Sequence, residues 1–168
     1  MIDVVATDLD STLCDLSFRP VPGALVDGTP DWLEYSLHCD KDLPFEGIAT
    51  ALRMVSASYP VLGISMRHQE AEEKTRAWFD LHDIPLEFLK LFNSEVDVND
   101  PYHCKTKFLS EVYPDVFNIV LLFEDNYRIA KFARDLGIPV VCVEPLYRGS
   151  DLRESFLRLY SKEPEYMI

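Results

Sequence analysis

MIDVVATDLDSTL, residues 1–13, couples a short apolar run to a dense set of acids and hydroxyls. Ile2 to Thr7 is β-branched and apolar apart from Asp3, as a buried strand requires. Directly after it stand Asp8, Leu9, Asp10, Ser11 and Thr12. Asp8 and Asp10 are two apart, so in an extended segment they point the same way. Carboxylates that close repel, and either their pKa values rise or a cation neutralises them. The plainer alternative is a pair of aspartates capping a turn, a common habit of this residue.

Working outward, short apolar runs alternate with amphipathic ones. Ile48, Ala51, Leu52 and Val55 keep helical spacing, and Pro60 is expected to end that helix. Val61 to Ile64 reads as a second strand, and Ala71, Thr75, Trp78, Phe79 and His82 as one helical face. Phe88 to Phe92 is a third strand; Phe108, Leu109 and Val112 mark a short helix. Ile119 to Phe123 is a strong buried strand, and Ile129, Ala133 and Leu136 share a helical face closed by Gly137 at C′. Val140 to Val143 makes a fifth strand, and Leu152, Phe156, Leu159 and Tyr160 a terminal helix. This is the pattern of a parallel sheet covered on both faces, an α/β fold. Residues 18–45, rich in proline and glycine, read as an insertion after the first strand with one short helix around Trp32 and Tyr35.

The whole chain, 1–168, is expected to form a single domain. Its 48% hydrophobic and 27% charged residues allow a sizeable core and exclude disorder as the main state. The net charge of −13 argues against extensive nucleic-acid binding, which rests on neutralising phosphates. A small anionic substrate in a locally positive pocket stays open. Four scattered cysteines with no C-x-x-C pair speak against zinc and against a disulfide framework. The N-terminus lacks a basic leader, and no apolar run approaches the ~20 residues that span a bilayer. A cytoplasmic protein without membrane contact is the expectation.

Ligands bind beyond the carboxyl ends of parallel strands. There the chain places Asp8, Asp10 and Thr12, then Ser65 and Arg67, then Glu124 and Asp125, with Lys105 at the start of the preceding helix. Oxygen-only ligands favour a hard cation, and one or two carboxylates with a substrate phosphate suit Mg²⁺. Lys105 shares a face with Phe108, Leu109 and Val112, so it should start inward, whereas Lys107 should point to solvent.

DLDSTL at 8–13 resembles the DxDx(T/V) signature of haloacid-dehalogenase-like (HAD) hydrolases. Ser65, Lys105 and Glu124-Asp125 follow in that family's order. DWLEYSLHCDKDLPF, ISMR, KTRAWFDLHDIP and FEDNYRIAKFARDLGIPVVCV further resemble the 3′-phosphatase domain of bacteriophage polynucleotide kinases and related phage phosphatases. Ser11 stands where the signature usually has glycine, and Met66 where relatives often have glycine before the arginine.

The resemblance implies a Rossmann-like HAD fold of about five strands with a small cap insertion. It implies Mg²⁺-dependent phosphomonoester hydrolysis through an aspartyl-phosphate, on a nucleotide phosphate or a 3′-phosphorylated nucleic-acid end. Asp8 would be the nucleophile and Asp10 the general acid/base. Ser65 and Lys105 would hold the phosphoryl group. Asp8, Asp125 and the Asp10 backbone carbonyl would hold Mg²⁺, with Glu124 beside it, either bonding the ion's waters or replacing a dispensable acid. Arg67, Thr12 and Trp32 would meet the substrate, Trp32 by stacking on a base. For Arg67 a surface ion pair is the plain alternative, and for Trp32 anchoring of the insertion.

Two other classes compete. A phosphoacceptor signalling domain also uses acids, a hydroxyl and a lysine on a parallel sheet, but here the third strand leads to Asn93 and Ser94, not to an aspartate. A catalytically inactive binding domain would lack some of these side chains, and all are present. No G-x-x-x-x-G-K-[ST] occurs, so no kinase half is expected in this sequence.

Overall fold

A computed structural model describes residues 1–23, 25, 28, 30–92 and 101–144. The expected terminal helix and the Asn93–Ser94 junction lie outside the described residues. Five parallel strands form the main sheet: β1 (Ile2–Asp8), β4 (Val61–His68), β5 (Phe88–Phe92), β6 (Phe117–Glu124) and β7 (Val140–Cys142), in the order β5-β4-β1-β6-β7. The chain moves outward from β1 through β4 to β5, then returns to β1's other side with β6. The reversal of direction beside β1 opens a crevice at the carboxyl ends of β1 and β6.

Alternation along β1 assigns the helices to the two faces. Val5 packs with Ala49 and Leu52 of α2 (Glu46–Val55) and with Trp78 and Phe79 of α3 (Glu72–Leu81). Val4 and Ala6 pack with Leu109 of α4 (Pro101–Val112) and with Ile129 and Ala133 of α5 (Tyr127–Asp135). Both faces are covered, so the strands read as continuous apolar runs. Gly137 follows the α5 C-cap with φ +93°, and its N–H donates to the Arg134 carbonyl at 2.9 Å.

Three boundaries differ from the sequence reading. β4 runs on to His68 because its ladder with β5 resumes beyond an irregularity between Ser65 and His68. Ser65 and Arg67 therefore lie within the strand, not after it. α4 begins at Pro101, so Lys105 sits in the helix's second turn and not at its start. α2 ends at Val55, where Ser56 caps it, ahead of Pro60.

The insertion is closed at its base by a two-stranded antiparallel ribbon, β2 (Cys14–Asp15) with β3 (Leu43–Pro44). Its helix α1 (Trp32–Leu37) is capped by Asp31, whose carboxylate accepts the Glu34 N–H at 2.8 Å. Groups of β4 and α3 tie it down. Trp78 Nε1 donates to the Asp42 carbonyl at 2.8 Å, the His68 N–H to Ser36 Oγ at 3.1 Å, and Lys74 Nζ to the Leu37 carbonyl at 2.8 Å. No helix among the described residues is long and apolar enough to cross a membrane.

Candidate active site

Asp8, the last residue of β1, is 4% exposed. Lys105 Nζ donates to its Oδ1, and Thr12 Oγ1 to its Oδ2 at 2.9 Å. The Thr12 hydroxyl also lies 3.1 Å from Asp125 Oδ1 and accepts the Asp125 N–H at 3.0 Å. Lys105 reaches Glu124 Oε2 at 3.4 Å, while Glu124 Oε1 accepts the Asn126 N–H at 3.0 Å. Lys105 is buried; Lys107 is exposed, facing Glu111 at 3.9 Å.

Oxygens of Asp8, Glu124 and Asp125 lie within 4.8 Å of one another. Three carboxylates face one ammonium, an excess of two negative charges that a divalent cation would balance. Burial and the neighbouring Asp8 push Glu124 up to about 8 against the pull of Lys105, and push Asp125 up to about 6. Burial alone would lower Lys105, but Asp8 and Glu124 raise it and keep it protonated. An all-oxygen set of this charge fits Mg²⁺.

Asp10 occupies a different environment. Its Oδ1 accepts from Arg67 Nη2 at 2.8 Å, Arg67 Nε at 3.0 Å and Arg19 Nη2 at 2.7 Å. Ser65 Oγ donates to its Oδ2 at 3.2 Å. Asp42 completes the group, accepting from Arg67 Nη2 at 2.9 Å and from both Nε and Nη2 of Arg19. Two guanidinia thus face two carboxylates. Burial would raise Asp10, but Arg67 and Arg19 overcome it and hold the carboxyl well below its usual range. Deeper burial pushes Asp42 up. The Asp10 side chain is 27% exposed and those of Arg67 and Asp42 not at all, so Asp10 is the face this quartet offers to the crevice.

The structure therefore brings Asp8, Thr12, Lys105, Glu124 and Asp125 together, and joins Asp10, Ser65 and Arg67 beside them. Arg67, expected to meet the substrate, spends its guanidinium beneath Asp10 because β4 continues under the insertion. The Asp10 carboxylate sits with the arginines, outside the acidic cluster. Trp32 is half-buried and meets Tyr35 edge to face at 5.8 Å. Arg19 and Asp42 were not anticipated from the sequence. Their signal was faint: an arginine just before Pro20, and an aspartate within the DWLEYSLHCDKDLPF stretch.

No family model and no curated protein matches the chain. Solved structures do. A chain of the Pnkp1/Rnl/Hen1 complex superposes with TM-score 0.67 at 21% identity over 85% of this chain. This chain spans 46% of that one, less than half its length. A putative β-phosphoglucomutase from Thermotoga maritima superposes with TM-score 0.53 at 19% identity, covering 92% of this chain and 91% of that one. A HAD family enzyme from Bacteroides thetaiotaomicron, solved with magnesium and inorganic phosphate, gives TM-score 0.50 at 11% identity over 90% of this chain and 99% of its own. The chain has the Rossmann-like α/β fold of the HAD enzymes.

Proposed function

We propose that this chain is a Mg²⁺-dependent phosphomonoesterase that works through an aspartyl-phosphate on the terminal phosphate of a nucleotide or a nucleic-acid end. The carrying observation is the division of Asp8 and Asp10 between two environments. Asp8 is aimed by a lysine and a threonine within an acidic cluster, while Asp10 is gripped by two arginines. Two carboxylates with separated surroundings take separate roles in acid–base chemistry. The HAD fold and the neighbouring structures support an enzyme acting on phosphoryl groups, and one neighbour belongs to an RNA repair complex.

An Asp8 carboxylate oxygen forms the bond to phosphorus as the ester oxygen leaves with the bonding pair. Lys105 and Thr12 fix that carboxylate and offset charge on the transferring group. Asp8, Glu124 and Asp125 would hold Mg²⁺, which neutralises the repulsion between phosphate and carboxylate. Asp10 protonates the leaving oxygen, then takes a proton from the water that splits the aspartyl-phosphate. At rest it is ionised, the form needed in the second step. Donation in the first step needs the arginine grip to weaken, and the negative charge of the arriving phosphate pushes the Asp10 pKa upward.

The test is a hydrolysis panel with and without Mg²⁺: 3′-phosphorylated mononucleotides and oligonucleotides, sugar phosphates and p-nitrophenyl phosphate. Asp8→Asn should abolish turnover on all of them with the fold intact. Asp10→Asn should cost about 10²–10⁴-fold on nucleotides and less on p-nitrophenyl phosphate, whose leaving group needs little protonation. Turnover by Asp8→Asn within about tenfold of wild type would overturn the covalent route.

A further inference from the structure

One polar side chain on the buried face of α3 is joined to the group around Asp10. Thr75 is fully buried on the face that also buries Trp78 and Phe79. A hydroxyl in such company is destabilising unless it is hydrogen-bonded. Its Oγ1 accepts from Arg67 Nη1 at 3.3 Å and lies 3.8 Å from Cys39 Sγ of the insertion. Trp78 stands three residues on, a neighbour on the same helical face, and donates from Nε1 to the Asp42 carbonyl at 2.8 Å. One face of α3 therefore holds both the Arg67 guanidinium and the Asp42 backbone.

The guanidinium is a rigid planar fork with its N–H donors in fixed directions. The Arg67 edge formed by Nε and Nη2 faces the acids. Nε donates to Asp10 Oδ1 at 3.0 Å, and Nη2 donates to Asp10 Oδ1 at 2.8 Å and to Asp42 Oδ2 at 2.9 Å. Nη2 also lies 3.3 Å from Cys14 Sγ. Nη1 is the far corner of the fork, and there it meets Thr75. A planar group held along one edge can still tilt about that edge; a bond at the opposite corner fixes its plane. Tilting of the fork would carry the Asp10 carboxylate with it, and Asp10 is the member of the quartet that reaches the crevice.

We propose that Thr75 is a positioning residue: by holding the far corner of Arg67 it fixes the direction from which the Asp10 carboxylate meets the leaving oxygen. The proposal deepens the phosphomonoesterase reading above and rests on it. Thr75 touches neither substrate nor reacting atoms, so its effect on the reaction is selective. A sugar hydroxyl leaves only with a proton, whereas p-nitrophenol needs little protonation. A misdirected Asp10 therefore slows the first step for a nucleotide and hardly slows it for p-nitrophenyl phosphate. A general loosening of the site slows both alike.

The experiment measures kcat/KM with Mg²⁺ on a 3′-phosphorylated mononucleotide and on p-nitrophenyl phosphate, for wild type, Thr75→Val and Thr75→Ser. This constant reports transition-state stabilisation from free enzyme and substrate. Valine keeps the shape of threonine without the hydroxyl, and serine keeps the hydroxyl. The ratio of the two substrates on one preparation cancels any difference in folded fraction. Thr75→Val should lower the nucleotide-to-p-nitrophenyl ratio about ten- to hundredfold, the effect of a small misplacement of a reacting group, and Thr75→Ser should restore it. Solvent exchange of the Arg67 Nε–H, followed by NMR and assigned by its loss in Arg67→Lys, should quicken in Thr75→Val and recover in Thr75→Ser. An unchanged ratio, an equal loss on both substrates, or unchanged exchange overturns the positioning role and leaves the phosphatase reading standing. Quickened exchange that serine reverses, with no hydrolysis of either substrate by wild type, supports Thr75 as the anchor of Arg67 and overturns the phosphatase reading.

Discussion

Asp8 and Asp10 are separated by one leucine, yet one belongs to a cluster short of positive charge and the other to a balanced quartet. The balance around Asp10 depends on Asp42, which supplies the second carboxylate to Arg19 and Arg67. Asp42→Ala would leave two buried guanidinia facing a single acid. Removing one partner of a buried ion pair costs roughly 3–5 kcal/mol, because the other charge stays buried without compensation. Asp42→Ala should therefore lower stability by about that amount in urea denaturation. Turnover of the surviving folded fraction should fall as well, since Asp10 is then pulled harder by both arginines. A denaturation midpoint equal to wild type would show that the quartet is not a stabilising unit.

Within the elements, Gly63 of β4 is tightly packed behind the site. A methyl group there would meet Leu89 Cδ1 at 3.1 Å, Leu86 Cδ1 at 3.2 Å and Leu9 Cδ1 at 3.3 Å. Overpacking of this kind costs about 1–3 kcal/mol, partly offset by the smaller entropy loss of alanine in a strand. Leu9 lies between Asp8 and Asp10, so Gly63→Ala should depress kcat as well as the denaturation midpoint. Unchanged kcat with an unchanged midpoint would mean that the three leucines have room to move. The sequence order of the main-sheet strands and helices was legible because the central strands β1 and β4 are buried on both faces over most of their length, while the helices bury one face. The orientation of Lys105 over Lys107 was legible for the same reason, from its spacing to Phe108, Leu109 and Val112. The far end of β4 was not, since an irregular ladder leaves no periodic trace. Nor was the meeting of Arg19 with Asp42, 23 residues apart across an insertion with no apolar period.

At the scale of the whole molecule, the two halves of the site give opposite pH dependences. Asp10 is held below its ordinary value, so it contributes stability above the ordinary aspartate range and loses it as the solution becomes strongly acidic. Glu124 and Asp125 are raised to about 8 and about 6, so the folded protein binds protons there that the unfolded chain has released. Their contribution is full below the ordinary carboxylate values and is lost as pH rises through about 6 and then about 8. Without Mg²⁺, the melting temperature should accordingly fall between about pH 5 and pH 8. The ion binds the ionised carboxylates and must displace those protons, so its affinity grows over the same interval. The rise in melting temperature on adding saturating Mg²⁺ should therefore be small near pH 5 and largest near pH 8, following the linkage between ligand affinity and stability. Differential scanning fluorimetry across that range, with and without Mg²⁺, checks both halves of the argument. A Mg²⁺ increment independent of pH would remove Glu124 and Asp125 from the ion's surroundings. A metal-free melting temperature that climbs toward pH 8 would show that the acidic cluster is already compensated by positive charge from elsewhere in the chain.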